Sequence, residues 1–243
     1  MDAELLRQYL EFYRDLGIAT LYRRPPVTPA EPVKAEPVPA ESVQAPLPPM
    51  APPGDTLFKI VEDIGDCRRC RLHEGRNKIV FGVGDEKSPI VFVGEGPGAD
   101  EDAQGIPFVG RAGQLLTQMI EGTAKKEGIQ LLRSQVYICN VVKCRPPGNR
   151  TPEPDEMEIC GQFLFRQLSA IQPRAICALG GTAARALTGH KEGVTKMRGK
   201  WFQWREIPVM VTYHPSYLLR PYNQDAKREA WEDLKRLLHF IYD

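Results

Sequence analysis

The sequence predicts a three-layer α/β/α sandwich built on a central four-stranded, mainly parallel sheet. Four short apolar runs bounded by turn residues carry this prediction: IVFVGE at 90–95, VYICNVV at 136–142, AICALG at 175–180 and PVMVTYH at 208–214. Continuous apolar runs of this length suit strands covered on both faces. Helical stretches near 111–127, 152–169 and 181–188 separate them, and a closing helix is expected at 225–242. Such alternation favours parallel strands, because each helix carries the chain back to the end where the previous strand began.

Three stretches organise the chain. Residues 1–24 include ELLRQYLEFYRDL, in which Leu5, Leu6, Tyr9, Leu10, Phe12, Tyr13 and Leu16 recur at mostly helical intervals. A single amphipathic helix cannot bury its own apolar face, so this one either packs on the chain's own domain or tethers a partner protein. Residues 25–54 hold eleven of the 22 prolines among Ala, Glu and Val, the composition of an extended, disordered linker. Residues 55–243 are long enough for one sizeable core and carry every expected strand.

With 243 residues and a formal net charge of +1, the chain has too little average charge to announce a nucleic-acid partner, so any DNA contact must come from local patches. No apolar run approaches the roughly 18 to 20 residues of a membrane span. Six cysteines without a signal-peptide pattern argue against a secreted disulfide framework. A cytoplasmic, monomeric protein with reduced thiols is therefore expected. Cys139 and Cys177 lie inside apolar runs, where a free cysteine behaves as a small hydrophobe of the core.

The other four cysteines have the look of ligands. Cys67 and Cys70 form a C-x-x-C pair, and Cys144 and Cys160 enclose fifteen residues in CRPPGNRTPEPDEMEIC. Four thiolates can hold either zinc or an iron-sulfur cluster. A zinc ribbon usually repeats its tight knuckle, whereas only the first pair is tight here, which favours a cluster. Arg68, Arg69 and Arg71 around that pair would offset thiolate charge. In parallel sheets ligands collect beyond the carboxyl ends of the strands, and three of the four runs end in a polar candidate: Glu95, Asn140 and His214.

After the first run comes GEGPGADEDAQGIPFVGRAG, which lacks the GK[ST] of a Walker loop and is no G-x-G-x-x-G turn. Together with NVVKCRPPGNRTP, the CxxC and Cys-x15-Cys pairs, RGKW and HPSYLLR, it resembles the family 4 uracil-DNA glycosylases over roughly residues 57–242. The resemblance implies a monofunctional DNA glycosylase of base excision repair that flips uracil out of DNA, hydrolyses it off and leaves an abasic site. It implies uracil-containing DNA, single- or double-stranded, as the partner. It also implies a 4Fe-4S cluster on Cys67, Cys70, Cys144 and Cys160, which would staple the segment before the first strand to the loop after the second.

Roles follow from the resemblance residue by residue. Asn140 would read the uracil edge, accepting from N3–H and donating to O4, whereas cytosine presents the opposite pattern. Phe108 would stack on the base, and Gly94, Glu95 and Gly96 would line the pocket through their backbone N–H groups. His214 would donate to O2 as negative charge develops on the leaving base. The related family 1 enzymes carry an Asp at the position of Gly96, so another group must orient the water. Glu101 is the nearest carboxylate for that task, or else it fills the space a thymine methyl would need, with Asp100 and Glu95 as further candidates for the water. Ser216 would contact a phosphate and Tyr217, Leu218 or Leu219 would wedge into the gap left by the flipped base. Arg145, Arg150, Arg198, Lys200 and Arg220 are candidates for phosphate contacts or ordinary surface charges.

Two other readings remain open from sequence. One is a broader glycosylase of the family 5 type, against which stand the acidic residues Glu101 and Asp102 after the GEGPG turn. The other is a non-catalytic iron-sulfur module that binds nucleic acid. NVVKC runs directly into RPPGNRTP without the KRRIH-type insertion of covalently trapping relatives, so turnover is expected rather than a stable adduct, and no lysine nucleophile is indicated for strand cleavage.

Overall fold

The computed structural model describes Pro52 and residues 54–243, Pro221 excepted. The expected helix at 1–24 and nearly all of the linker at 25–54 lie outside the described residues. Six strands make one sheet: β1 (Val83–Gly84), β2 (Ile90–Gly94), β3 (Tyr137–Asn140), β4 (Ala175–Leu179), β5 (Trp201–Trp204) and β6 (Ile207–Thr212). Their order is β1-β3-β2-β4-β6-β5. The four central strands are the four apolar runs, and they pair in parallel.

The expected count of four strands is thus corrected to six. Both additions are antiparallel edge strands. β5 is half exposed and contains Gln203, and β1 has only two residues, so neither has the doubly covered apolar run that marks the central strands.

Eight helices are described: α1 (Leu57–Ile64), α2 (Ala99–Gln104), α3 (Arg111–Lys126), α4 (Pro154–Ile171), α5 (Gly181–Thr188), α6 (Val194–Met197), α7 (Pro215–Leu218) and α8 (Gln224–Tyr242). The longer ones start where local chemistry supports a start. Thr56 accepts from the Lys59 N–H at the head of α1. Pro154 occupies the first turn of α4, where Glu156 reaches back to the Glu153 N–H at 2.8 Å.

Alternation along each strand divides the core into two layers. Val91 and Val93 of β2 face Phe163, Leu164 and Leu168 of α4 together with α1 and α5. Ile90 and Phe92 face Leu116 and Ile120 of α3 and Leu234, Leu237 and Leu238 of α8. Burying one such side chain stabilises the fold by about 1.5–3 kcal/mol, so the layers specify the register strongly. Cys139 and Cys177 are fully buried in these layers, as their apolar surroundings require. Among the described residues, no helix is long and apolar enough to cross a membrane.

Topology places the site. From β2 the chain crosses to β3 on one side and then to β4 on the other, so the connections diverge at β2 and leave a crevice at the carboxyl ends.

Candidate active site

A cavity of about 360 Å³ occupies that crevice, near the low end of the ~300–1,000 Å³ typical of ligand sites. The ends of all four central strands contribute to its wall: Glu95 and Gly96 after β2, Asn140 of β3, Leu179 and Gly180 at β4, and His214 after β6. Gly94 lies directly opposite Asn140 in the β2–β3 register. A Cβ on Gly94 would sit 2.4 Å from the Asn140 Oδ1 and 2.6 Å from the Phe108 Cζ. The missing side chain therefore lets the amide and the ring meet at one spot.

Asn140 is buried, and its Oδ1 has no hydrogen-bond partner among the described residues. An orphaned buried acceptor is uncommon and costly, and here it faces a cavity. Phe108, also buried, adopts a left-handed backbone with φ of 54°, a conformation bulky residues rarely take. Two groups hold it there. The Glu101 carboxylate accepts from the N–H groups of Val109 and Gly110, both at 2.9 Å, and of Gly98 at 3.1 Å. From the other side Arg133 donates to the Pro107 carbonyl at 2.8 Å. The Phe108 ring lies 5.6 Å from the His214 ring, tilted by 36°.

His214 precedes α7 as its cap. The Ser216 N–H donates to Nδ1 at 3.2 Å, and the Ser216 hydroxyl is 2.7 Å from the same atom. With Nδ1 accepting, the ring proton sits on Nε2. Burial pushes the imidazole down to about 4, against a smaller opposing pull from Glu101. The ring is thus a neutral N–H donor at physiological pH. The strand end behind it is anchored by Asp233, which accepts from the Thr212 hydroxyl at 2.8 Å and pairs with Arg198, while the Tyr213 hydroxyl donates to Glu229 at 3.0 Å.

A second cleft lies beside this crevice and is lined by Cys67, Cys70, Cys144 and Cys160. Cys144 and Cys160 are buried, and Cys67 and Cys70 half-buried. Two N–H donors point at sulfur: the Lys143 backbone to Cys160 at 3.2 Å and the Arg76 guanidinium to Cys144 at 3.5 Å. Burial raises the Cys70 and Cys144 thiols, and pushes Cys160 up to about 12. Among the described residues, no three His, Cys, Asp or Glu converge tightly enough to hold a single metal ion. Of the arginines expected to offset thiolate charge, Arg69 lines the cleft and is favoured by the Cys67 charge while also pairing with Asp63. Arg68 and Arg71 instead pair with Asp66 and Asp155, and Arg76 joins Arg69 beside sulfur.

The uracil DNA glycosylase superfamily profile matches residues 81–235. A type-4 uracil-DNA glycosylase of Thermotoga maritima is 47% identical over 190 residues, 77% of this chain and 96% of that protein. This chain belongs to the type-4 uracil-DNA glycosylases. A second type-4 uracil-DNA glycosylase, from Archaeoglobus fulgidus, is 43% identical over 191 residues, 75% of this chain and 92% of its own length. Likeness to a type-5 uracil-DNA glycosylase of Pyrobaculum aerophilum spans only 105 residues, 42% of this chain, at 36% identity.

In this type-4 chain the expected DNA-contacting residues divide by placement. Ser216, Tyr217, Arg220 and Lys200 are exposed, and Leu219 is half-buried. Tyr217 stacks on Tyr213, with the Arg220 guanidinium 5.9 Å from its ring. Leu218 instead packs in the core against Tyr213, Ala226 and Ala230, so it is not offered to DNA. Arg198 is committed to Asp233 and Glu229 and serves the fold. Arg150 lines the cavity but is tied to Glu156 at 2.6 Å, and Arg145 bonds Asn149 at 2.8 Å. Glu101, expected at the water or at a thymine methyl, spends its carboxylate on three backbone N–H groups. Sequence reasoning missed Lys143, Arg133 and Asp233. The one visible signal was a lysine closing an otherwise apolar VVKC run.

Proposed function

We propose that this protein flips deoxyuridine out of DNA, single- or double-stranded, and hydrolyses its N-glycosidic bond, leaving an abasic site in an uncut strand. The orphaned Asn140 Oδ1, facing a cavity beside an aromatic ring and a neutral imidazole donor, carries this reading. Uracil supplies the missing donor from N3–H and takes the amide N–H on O4. Phe108 stacks on the base, a contact worth about 1–3 kcal/mol in comparable sites. As the C1′–N1 bond breaks, its electron pair leaves with uracil, and the His214 Nε2–H stabilises the charge gathering on O2. Water adds to the oxocarbenium carbon, and the proton it loses passes through a carboxylate or solvent to end on the departing uracil anion. Glu95 supports that step better than Glu101: Thr182 donates to its Oε2, and its other oxygen has no partner among the described residues.

Incubating the protein with a single-uracil oligonucleotide, followed by alkali, tests this. Alkali-labile breaks at the uracil are expected, and intact strands at every salt and pH tried would defeat the proposal. Glu101→Ala frees the Phe108 loop. It is expected to cost about 3 kcal/mol of stability, on the scale of lost bonds to a charged group, and to raise KM more than it lowers kcat.

The four thiols fit a 4Fe-4S cluster, which we propose they hold. They line one cleft, and two N–H donors already face sulfur, as in sites where such donors tune a cluster. When bound, the cluster would cross-link the segment around Cys67 to the loop at Cys144. Cys144→Ala is expected to lose iron and to lower the melting temperature. Full iron content in that variant would remove Cys144 from the ligand set.

A further inference from the structure

The Lys143 side chain is fully buried, and among the described residues no carboxylate pairs with it. Its Nζ donates to the Asn140 backbone carbonyl at 2.7 Å and to the Gln167 Oε1 at 2.6 Å. Gln167 is itself fixed, donating to the Phe81 carbonyl at 3.0 Å and to the Tyr137 hydroxyl at 3.1 Å. A buried lysine amine held only by two neutral acceptors is a poor choice for stability alone. A methionine would fill similar space without the desolvation cost.

The position of those bonds points to another use. The Asn140 Oδ1 has no hydrogen-bond partner among the described residues to set the direction of its amide. Its aim must come from its backbone and from the close approach of Gly94. β3 ends at Asn140, and the chain continues beside the GEGPG turn through Val141 N–H to Gly94 O at 3.0 Å and Val142 N–H to Glu95 O at 3.2 Å. Lys143 turns back from that extension and grips the carbonyl of the residue that faces the base. Its own backbone N–H reaches the Cys160 sulfur.

We infer that Lys143 is a positioning residue for base recognition: it sets the peptide plane of Asn140, and so the aim of its amide, and ties that peptide to the thiol cleft. This rests on the uracil reading of the cavity. It does not depend on which metal group, if any, the thiols hold.

Three variants test it: Lys143→Met, Lys143→Gln, which keeps an N–H donor on a shorter side chain, and Gln167→Met, which disturbs the same buried network but leaves the Lys143–Asn140 bond. Each is measured for melting temperature, iron content, uracil excision, and inhibition by free uracil, which reads the base pocket without the chemistry. Lys143→Met is expected to weaken free-uracil inhibition and lower kcat/KM by about 10²-fold, the scale of a small misplacement at a reacting site, with iron retained. Lys143→Gln should fall between it and wild type. Gln167→Met should lose melting temperature while keeping wild-type inhibition by uracil.

Wild-type inhibition in Lys143→Met, or in Lys143→Gln should the first not fold, would overturn the inference. So would losses in Gln167→Met that match those of Lys143→Met, since the role would then be structural. A wild-type protein that neither releases nor binds uracil would instead defeat the proposed function.

Discussion

Asn140→Asp is expected to lower kcat/KM on uracil by about 10⁴-fold, the discrimination seen where a site built to hydrogen-bond its substrate loses the match. The substitution is isosteric, so the contacts with Gly94 and Phe108 survive and the loss is chemical. A carboxylate still accepts from N3–H, but it sets an oxygen against O4 where the amide donated. It also places an unpaired charge at a buried position. Burial favours the protonated acid, which offers an O–H to N3 of cytosine and a carbonyl oxygen to its N4 amino group. Residual activity should therefore move toward cytosine, most visibly at low pH. Measuring excision from matched uracil and cytosine oligonucleotides across pH checks this. Equal loss on both bases would remove Asn140 from base reading.

His214→Ala should lower kcat by about 10²–10³-fold, the loss that follows removal of one preorganised donor at a developing oxyanion. Its pH behaviour separates a neutral donor from an imidazolium. With the ring pushed down to about 4, the Nε2–H donor is present unchanged through pH 6.5, so kcat should show no limb near the ordinary histidine value. An acid limb near 6.5 that vanishes in His214→Ala would show a charged ring in the working enzyme. The same shift links to stability. The folded-state value lies below that of the unfolded chain, so the unfolded chain takes up the proton first as pH falls. The contribution present above pH 6.5 is lost on the way down to about 4.

Much of this organisation was readable from residue order. Doubly covered strands write themselves as apolar runs, so β2, β3, β4 and β6 could be located to within a few residues, and the parallel arrangement placed Glu95, Asn140 and His214 at one edge. The half-exposed β5 and the two-residue β1 have no such pattern and were missed. Charged residues misled most. Arg198, Arg150 and the arginines around Cys67 read as candidate partners for phosphate or thiolate, and each is paired with a carboxylate, some nearby in the chain, such as Asp66 with Arg68, and some across the fold, such as Asp155 with Arg71 and Asp233 with Arg198. Leu218 read as an exposed wedge, but α7 turns it inward while Tyr217 stays at the surface.

Periodicity, turn chemistry and ligand spacing are local, so the chain alone announced its α/β plan, its four metal-type thiols and the polar residues that close its strands. Partnership across the fold is not local. The Gly94 gap that admits the Asn140 amide and the Phe108 ring, the commitment of Glu101 to three backbone N–H groups, the His214 tautomer and the grip of Lys143 on the Asn140 carbonyl all depend on which groups meet in a dry interior. There an unpaired polar atom is costly, and each buried donor or acceptor is settled by its spatial neighbours.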